Sequence, residues 1–353
     1  IPNCIAEADD EQEPETSDAD QTDDLASFIA SGPMMSKLGL STNGVAAEIA
    51  MWQEHAAVLC KQLKIDPNNM SIAERRRVYH YYLPVFYWCK AQYDTHKATS
   101  QGPVVVGISA PQGCGKTTIV ESLENLFKHC NLTPASISID DFYLTAADQS
   151  KLAKANPTNP LLQYRGNAGS HDLDLGATTL KTLRSLQSKG SKGPVPRYDK
   201  SMNKGYGDRA PESSWPQVEG PVDVILFEGW MLGFSALDDD NKAAAVHPGL
   251  LEVNKALKQY ADSWDQMCDA WLVVKIGDPN WVQEWRLQAE VAMRSKGLSG
   301  MTDQQVRDFV NRFMPAYEAY LPALYASGPS TAGPGTPLLT LEVDAQRNVK
   351  SCV

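Results

Sequence analysis

Residues 103–123, PVVVGISAPQGCGKTTIVESL, join an apolar run to a glycine-containing loop and then to the start of a helix. The run at residues 104–108 predicts a buried strand, and the loop holds Gly113 and Gly115. Glycines let backbone N–H groups close around phosphate oxygens, and a helix N-terminus adds partial positive charge. A chance glycine-rich turn is the alternative, but strand, loop, Lys-Thr and helix occur in the required order. The stretch therefore predicts a nucleotide-phosphate site in an α/β fold.

The loop fits the phosphate-binding pattern with Ala110 in place of the first glycine, where a small residue with negative φ suffices. We expect Lys116 to reach the β- and γ-phosphates of ATP and the Thr117 hydroxyl to hold Mg²⁺. The predicted nucleotide-binding residues are Ala110, Pro111, Gln112, Gly113, Cys114, Gly115, Lys116, Thr117 and Thr118.

The formal charge of −11 is concentrated at one end of the chain. Residues 1–24 contain ten Asp and Glu and no Lys or Arg, which leaves a charge of −1 for the rest. We expect residues 1–28 to be a disordered acidic tail, because they are poor in apolar residues. The nearly neutral remainder gives no argument for a nucleic-acid partner, and no apolar run approaches the roughly 20 residues of a membrane span.

Apolar periodicity predicts alternating helices and strands along the rest of the chain. Helices are predicted at residues 43–63, 71–89 with a kink at Pro84, 119–130, 173–187, 250–260, 281–296 and 302–324 with a break near Pro315. Strands are predicted at residues 104–108, 135–139, 222–227, 271–276 and 338–343. This alternation implies a mostly parallel sheet with helices on both faces, at residues 101–353, after an N-terminal helical region at residues 29–100.

Three predicted strand ends carry residues that suit phosphoryl transfer. Ligands of an open parallel sheet bind beyond the carboxyl ends of its strands, where Lys116, Asp140 and Glu228 are predicted to lie. Asp140 is placed to take the proton of an attacking hydroxyl, and Glu228 resembles a Walker-B carboxylate that holds a Mg²⁺-bound water. A helix cap or a solvated loop end is the alternative for either carboxylate.

The segments SIDDFY at residues 138–143 and LFEGW at residues 226–230, with the loop at Lys116, resemble the phosphoribulokinase, uridine kinase and pantothenate kinase group of P-loop kinases. The segments YRGNAGSHD, PRYDK, FEGWMLGF and RFMPAY resemble plant-type D-glycerate 3-kinases. The resemblance covers residues 44–353. It implies a P-loop NTPase fold, Asp140 as general base, and ATP-dependent phosphorylation of D-glycerate at its C3 hydroxyl in photorespiration. It also implies the chloroplast stroma, with the cytoplasm as the alternative.

Basic residues in the polar loops are candidates for holding the carboxylate of an acidic acceptor. They are Arg165, Arg197, Lys200 and Arg209, with His171 and Asp172 as candidates for the hydroxyl groups. The predicted substrate-binding set is Asp141, Tyr143, Arg165, His171, Asp172, Arg197, Tyr198 and Arg294. For each basic residue the alternative is a solvated surface charge, and His171 equally suits a structural role.

Arg286 and Arg294 lie on the helix predicted at residues 281–296, which resembles the lid of these kinases. We expect both to neutralise charge on the transferred phosphoryl group. An i,i+4 ion pair between Arg286 and Glu290 is the alternative. The predicted catalytic set is Lys116, Asp140, Glu228 and Arg286.

Two other functions are compatible with these residues. A kinase of the same group could act on uridine or pantothenate, although the basic loops favour an acidic acceptor. An ATP-binding protein without kinase activity is the second alternative, and the full set of transfer residues argues against it. ATP, Mg²⁺ and D-glycerate are thus the expected ligands. No nucleic acid or membrane partner is expected, and a monomer is the expected state.

Overall fold

The computed structural model describes residues 18–295, 297 and 301–353. Its α-helices are α1 (Asp18–Ala30), α2 (Thr42–Ala47), α3 (Ile49–Leu63), α4 (Ile72–Arg76), α5 (Leu83–Thr99), α6 (Lys116–His129), α7 (Ala146–Ala155), α8 (Leu173–Ser185), α9 (Asp240–Val246), α10 (Leu250–Ser263), α11 (Trp281–Ser295), α12 (Asp303–Asn311) and α13 (Met314–Ser327). Its strands are β1 (Val104–Ser109), β2 (Pro134–Ser138), β3 (Lys192–Pro194), β4 (Tyr198–Asp199), β5 (Asp208–Arg209), β6 (Gln217–Glu219), β7 (Val224–Gly229), β8 (Ala270–Ile276), β9 (Leu338–Val343) and β10 (Val349–Cys352). A π-helical segment, Arg77–Tyr82, joins α4 to α5, and 3₁₀ turns lie at Ile139–Phe142, Asn203–Gly205, Glu212–Ser214 and Asp265–Met267.

Six strands form one sheet in the order β10-β9-β8-β1-β7-β2. Neighbouring strands are parallel except β10, which pairs antiparallel with β9. The central strands β1, β7 and β8 are buried almost along their whole lengths, as apolar strands covered on both faces are. The predicted mostly parallel sheet is confirmed. Two small antiparallel pairs of strands, β3–β6 and the β4–β5 hairpin, lie outside it.

The N-terminal helices pack against the sheet domain and share its core. Phe86 of α5 meets Phe127 of α6 edge to face, with 5.2 Å between ring centroids, and Trp52 of α3 is fully buried. The helix predicted at residues 43–63 is divided at Glu48 into α2 and α3. The helix predicted at residues 71–89 is interrupted before Pro84 by the π-helical segment, and Pro84 has no N–H to donate to the preceding turn.

Several predictions for the periphery need correction. The expected disorder through residue 28 is wrong for residues 18–28, which lie in α1, and Ala26 and Ile29 of this helix are buried. Residues 1–17 of the acidic tail lie outside the described residues. The sequence patterns also missed α7, α9 and β10, which are short and partly polar. None of the described helices is long and apolar enough to cross a membrane.

Candidate active site

The glycine loop between β1 and α6 contains two left-handed residues and leads directly into a helix N-terminus. Gly113 and Gly115 have φ values of +82° and +99°, in the left-handed region. A Cβ atom on Gly113 would lie 2.7 Å from the Cβ of Trp285, so only glycine fits there. Lys116 is the first residue of α6, and its Nζ donates to the carbonyl oxygen of Pro111 at 3.4 Å. The loop can therefore receive an anion at a helix N-terminus.

Two residues from the far end of the chain hold this loop in place. The Gln112 N–H donates to the Tyr317 hydroxyl at 3.0 Å, and Arg347 Nε donates to the Gly113 carbonyl at 2.8 Å. The Arg347 guanidinium also lies 4.8 Å from the ring centroid of Trp285. Sequence reasoning missed both contacts. Tyr317 lies in the RFMPAY segment that carries the resemblance, whereas no sequence signal marks Arg347.

The strand register places carboxylates beside the loop. Ile108 of β1 is paired with Glu228 of β7, and Glu228 is paired with Ser138 of β2. Asp140 follows Ser138 by two residues, in the 3₁₀ turn after β2. Because the carboxyl ends of parallel strands meet at one edge, the sheet brings Lys116, Glu228 and Asp140 together.

Glu228 presents a buried oxygen, Oε2, that has no hydrogen-bond partner among the described residues. Burial raises the pKa of Glu228 in spite of the neighbouring Lys116, and the charge of Asp140 adds to the rise. A buried carboxylate oxygen without a partner is costly unless a cation or its bound water meets it. With the exposed Thr117 hydroxyl, Glu228 supplies the oxygen donors that Mg²⁺ prefers.

Both carboxylate oxygens of Asp140 have partners. Lys200 Nζ lies 2.5 Å from Oδ2, and the Tyr143 hydroxyl donates to Oδ1 at 2.9 Å. Burial acts to raise the pKa of Asp140, but the charges of Lys200 and Lys116 and the Tyr143 hydrogen bond outweigh burial and lower it. Asp140 is therefore ionised at neutral pH, which is the state that a proton acceptor needs.

Asp141 has a different set of partners from its neighbour. Its Oδ2 pairs with Arg197 at 3.2 Å, and its Oδ1 accepts from the N–H of Tyr198 at 3.4 Å. Burial raises the pKa of Asp141 despite the Arg197 charge. Asp141 thus fastens the β4–β5 hairpin, which brings Lys200 to Asp140.

Tyr143, His171 and Tyr198 form an aromatic cluster next to Asp140. The Tyr143 ring stacks on His171, with 4.7 Å between centroids, and meets Tyr198 edge-on at 5.3 Å. His171 Nδ1 lies 2.8 Å from the Tyr260 hydroxyl. Burial lowers the pKa of His171 to about 4, so the ring is neutral at physiological pH. Its Nε2 is buried and has no hydrogen-bond partner among the described residues, and the predicted contact of His171 with a substrate stays a prediction.

Arg165, Asp172 and Arg209 contact the segment around the β4–β5 hairpin. Asp172 caps the N-terminus of α8 and pairs with Arg209 at 2.9 Å. Arg165 donates to two carbonyl oxygens between β4 and β5. In the described part of the chain, none of the three is hydrogen-bonded to Asp140. Their predicted contacts with a substrate stay predictions.

The two predicted lid arginines are paired within α11 and α12. Arg286 pairs with the buried Glu290, and its guanidinium lies 5.3 Å from the ring centroid of Phe309. Arg294 pairs with Asp303 at 2.7 Å. The i,i+4 pair that we considered for Arg286 is therefore present, although Glu290 is buried rather than solvated. A role for either arginine at the transferred phosphoryl group stays a prediction.

A cavity of about 150 Å³ lies elsewhere, between the π-helical segment and the β9–β10 connection. Arg76, Arg77 and His80 line one side, and Asp344 and Asn348 line the other. The residues predicted from the sequence do not line this cavity. Lys116, Glu228 and Asp140 lie instead at the carboxyl edge of the sheet, beside the glycine loop.

Comparison with known proteins covers most of the chain. Residues 105–238 match the family described as phosphoribulokinase / uridine kinase. A relative from Arabidopsis thaliana, named D-glycerate 3-kinase, chloroplastic, is 50% identical over 94% of this chain and 74% of its own length. The chain belongs to the phosphoribulokinase and uridine kinase family. The P-loop kinase fold and the use of ATP as phosphoryl donor follow from this membership.

Other relatives agree with this membership. A solved structure of a D-glycerate 3-kinase from Cryptococcus neoformans is 34% identical, with a TM-score of 0.70 over 77% of this chain and 98% of its own. A probable ATP-dependent kinase of Saccharomyces cerevisiae is 37% identical over 70% of this chain and 87% of its own. The similarity to other kinases of the family thus extends well beyond the glycine loop.

Proposed function

We propose that this kinase transfers the γ-phosphoryl group of ATP to the C3 hydroxyl of D-glycerate, with Mg²⁺, and forms 3-phospho-D-glycerate. The main support is the convergence of Lys116, Glu228 and Asp140 at the sheet edge that carries the glycine loop. Two relatives named D-glycerate 3-kinase support the choice of acceptor. The name of the Arabidopsis relative supports a chloroplast location and a part in photorespiration.

The nucleotide half of the site is built from the loop and the start of α6. The backbone N–H groups of the loop and the Lys116 ammonium would hold the β- and γ-phosphates. Thr117 and Glu228 would hold Mg²⁺, which neutralises charge on the phosphate oxygens during transfer. The buried Glu228 oxygen, which has no partner in the described part of the chain, is the feature that best fits this role.

The acceptor half of the site is built from Asp140 and the β4–β5 hairpin. The C3 hydroxyl oxygen forms a bond to the γ-phosphorus, the bond to the β–γ bridging oxygen breaks, and ADP leaves. Asp140 accepts the hydroxyl proton. Arg197 and Lys200, which contact Asp141 and Asp140, are the candidate cations for the acceptor carboxylate.

A coupled ADP-release assay with MgATP tests this function against its rivals. The acceptors are D-glycerate, L-glycerate, uridine and pantothenate. Turnover with D-glycerate and not with uridine or pantothenate is the expected result. Turnover with another acceptor and not with D-glycerate would keep the kinase assignment and reject D-glycerate. ATP binding without turnover of any acceptor would support a non-catalytic protein.

A further inference from the structure

Lys200 forms an ion pair with the Asp140 carboxylate, which the proposed reaction needs as a proton acceptor. Its Nζ lies 2.5 Å from Oδ2 of Asp140, while Tyr143 donates to Oδ1. A carboxylate oxygen held by an ammonium group is a poor proton acceptor, because protonation would break a charge-assisted hydrogen bond. The ion pair must therefore open before the acceptor hydroxyl can give its proton to this oxygen.

The position of Lys200 permits that opening. Its side chain is 59% exposed, and it directly follows β4. The hairpin is fastened through other residues, since the Tyr198 N–H donates to Asp141 and Asp208 accepts from the Ala146 N–H at 2.9 Å. The flexible lysine stem can therefore rotate outward without displacing β4 or β5.

An acidic acceptor brings a second carboxylate to the same place. Glycerate has only three carbons, so its carboxylate and its C3 hydroxyl lie within the reach of a single lysine side chain. The ammonium group exchanges one carboxylate for another, so its new ion pair with the acceptor offsets the loss of the pair with Asp140. Once Lys200 has left, its charge no longer offsets the effect of burial on the pKa of Asp140. That pKa therefore rises, and Asp140 becomes a stronger base.

We propose that Lys200 determines acceptor specificity by exchanging its ion pair from Asp140 to the carboxylate of the incoming hydroxy acid. This inference rests on the proposed function. The freed Oδ2 takes the hydroxyl proton as the new oxygen–phosphorus bond forms and ADP leaves with the electrons of the broken bond. Water and neutral alcohols bring no carboxylate, so Lys200 stays on Asp140 and suppresses their reaction with ATP.

The test compares wild type, Lys200→Gln and a matched control, Lys204→Gln, which changes another exposed lysine between β4 and β5. ADP release is measured with D-glycerate, with glycerol and without an acceptor, all at saturating MgATP. For K200Q we expect the KM for D-glycerate to rise by ~10-fold or more, because a hydrogen bond between charged groups is lost. We also expect its preference for D-glycerate over glycerol, in kcat/KM, to fall by ~10-fold or more, and acceptor-free ADP release to increase. K204Q is expected to match wild type.

The outcomes separate this inference from the proposed function. If the wild-type protein does not turn over D-glycerate, the proposed function is wrong, and the inference fails with it. Wild type with turnover, and a K200Q variant whose acceptor preference stays within about twofold of wild type, would overturn the inference alone. Loss of activity with every acceptor in a K200Q variant that melts like wild type would also overturn it, since Lys200 would then serve transfer itself rather than selection.

Discussion

Asp140 and Asp141 are adjacent in the sequence, but their partners differ. The charges of Lys116 and Lys200 act on Asp140, whereas Asp141 accepts from the Tyr198 N–H of β4. Asp140→Asn keeps the size of the side chain and removes the proton acceptor. We expect kcat with D-glycerate to fall by ~10²-fold or more, while the Kd of ATP changes by less than about threefold. Steady-state kinetics and nucleotide titration measure the two effects. Near-normal turnover of D140N would exclude Asp140 as the proton acceptor.

Asp141→Asn is the matched comparison for this variant. It removes the charge opposite Arg197 but keeps an oxygen that can accept from the Tyr198 N–H. We therefore expect a smaller loss in kcat than for D140N, together with a lower melting temperature. An equal loss of kcat in both variants would assign the effect to the pair rather than to Asp140.

His171 makes stability depend on pH. Its pKa of about 4 in the folded chain lies below the value of about 6.5 for an unfolded histidine, so the unfolded chain binds this proton first. The stabilisation is fully present above about pH 6.5 and is lost as the pH falls toward 4. Between pH 7 and pH 5 the loss amounts to about 2 kcal/mol. Urea unfolding of wild type and His171→Asn at pH 7 and pH 5 should show a smaller pH effect in the variant. Equal pH effects would contradict this origin.

Helix α13 carries two tyrosines that make the same kind of contact in different places. The Tyr317 hydroxyl accepts from Gln112 in the glycine loop, and the Tyr325 hydroxyl accepts from Ile276 at the end of β8. Tyr317→Phe leaves a loop N–H without its partner, at a cost of about 1 kcal/mol, so ATP affinity should fall about fivefold. Tyr325→Phe removes the same group away from the loop and should leave ATP affinity unchanged. Calorimetric titration with ATP that gave equal affinities for both variants would contradict this role.

The sequence predicted the elements that have long apolar periods and the residues that directly follow them. Three site residues were predictable because they lie next to apolar strands. Asp140 and Glu228 lie at the ends of β2 and β7, and Lys116 starts the helix that follows β1. The β4–β5 hairpin was not, because its residues are polar and glycine-rich and its shape depends on contacts with Asp141 and Arg165. Arg347 escaped prediction for the same reason, since a tertiary contact places it at the loop.

The N-terminal helices and the sheet should unfold as one unit, because their apolar side chains form a continuous core. Phe86→Ala removes a fully buried ring that packs on α6, and we expect it to lower the free energy of unfolding by ~3–5 kcal/mol. Calorimetry should show one transition shifted to lower temperature. Ile72→Ala is the control, because this side chain on α4 is 56% exposed. A new early transition beside an unshifted main one would show separate units.

The portion of the chain that the family model matches, residues 105–238, contains every group of the proposed transfer from Lys116 to Glu228. It lacks Tyr317 and Arg347, and it lacks β8, β9 and β10, which are three of the six strands of the sheet. In a fragment limited to residues 105–238, β1 would lose the strand β8 that pairs with it on one side. Residues 105–238 therefore do not contain all the strands and contacts that hold the glycine loop in place. A graft of these residues between relatives would have to carry along the distant residues that fit the same loop.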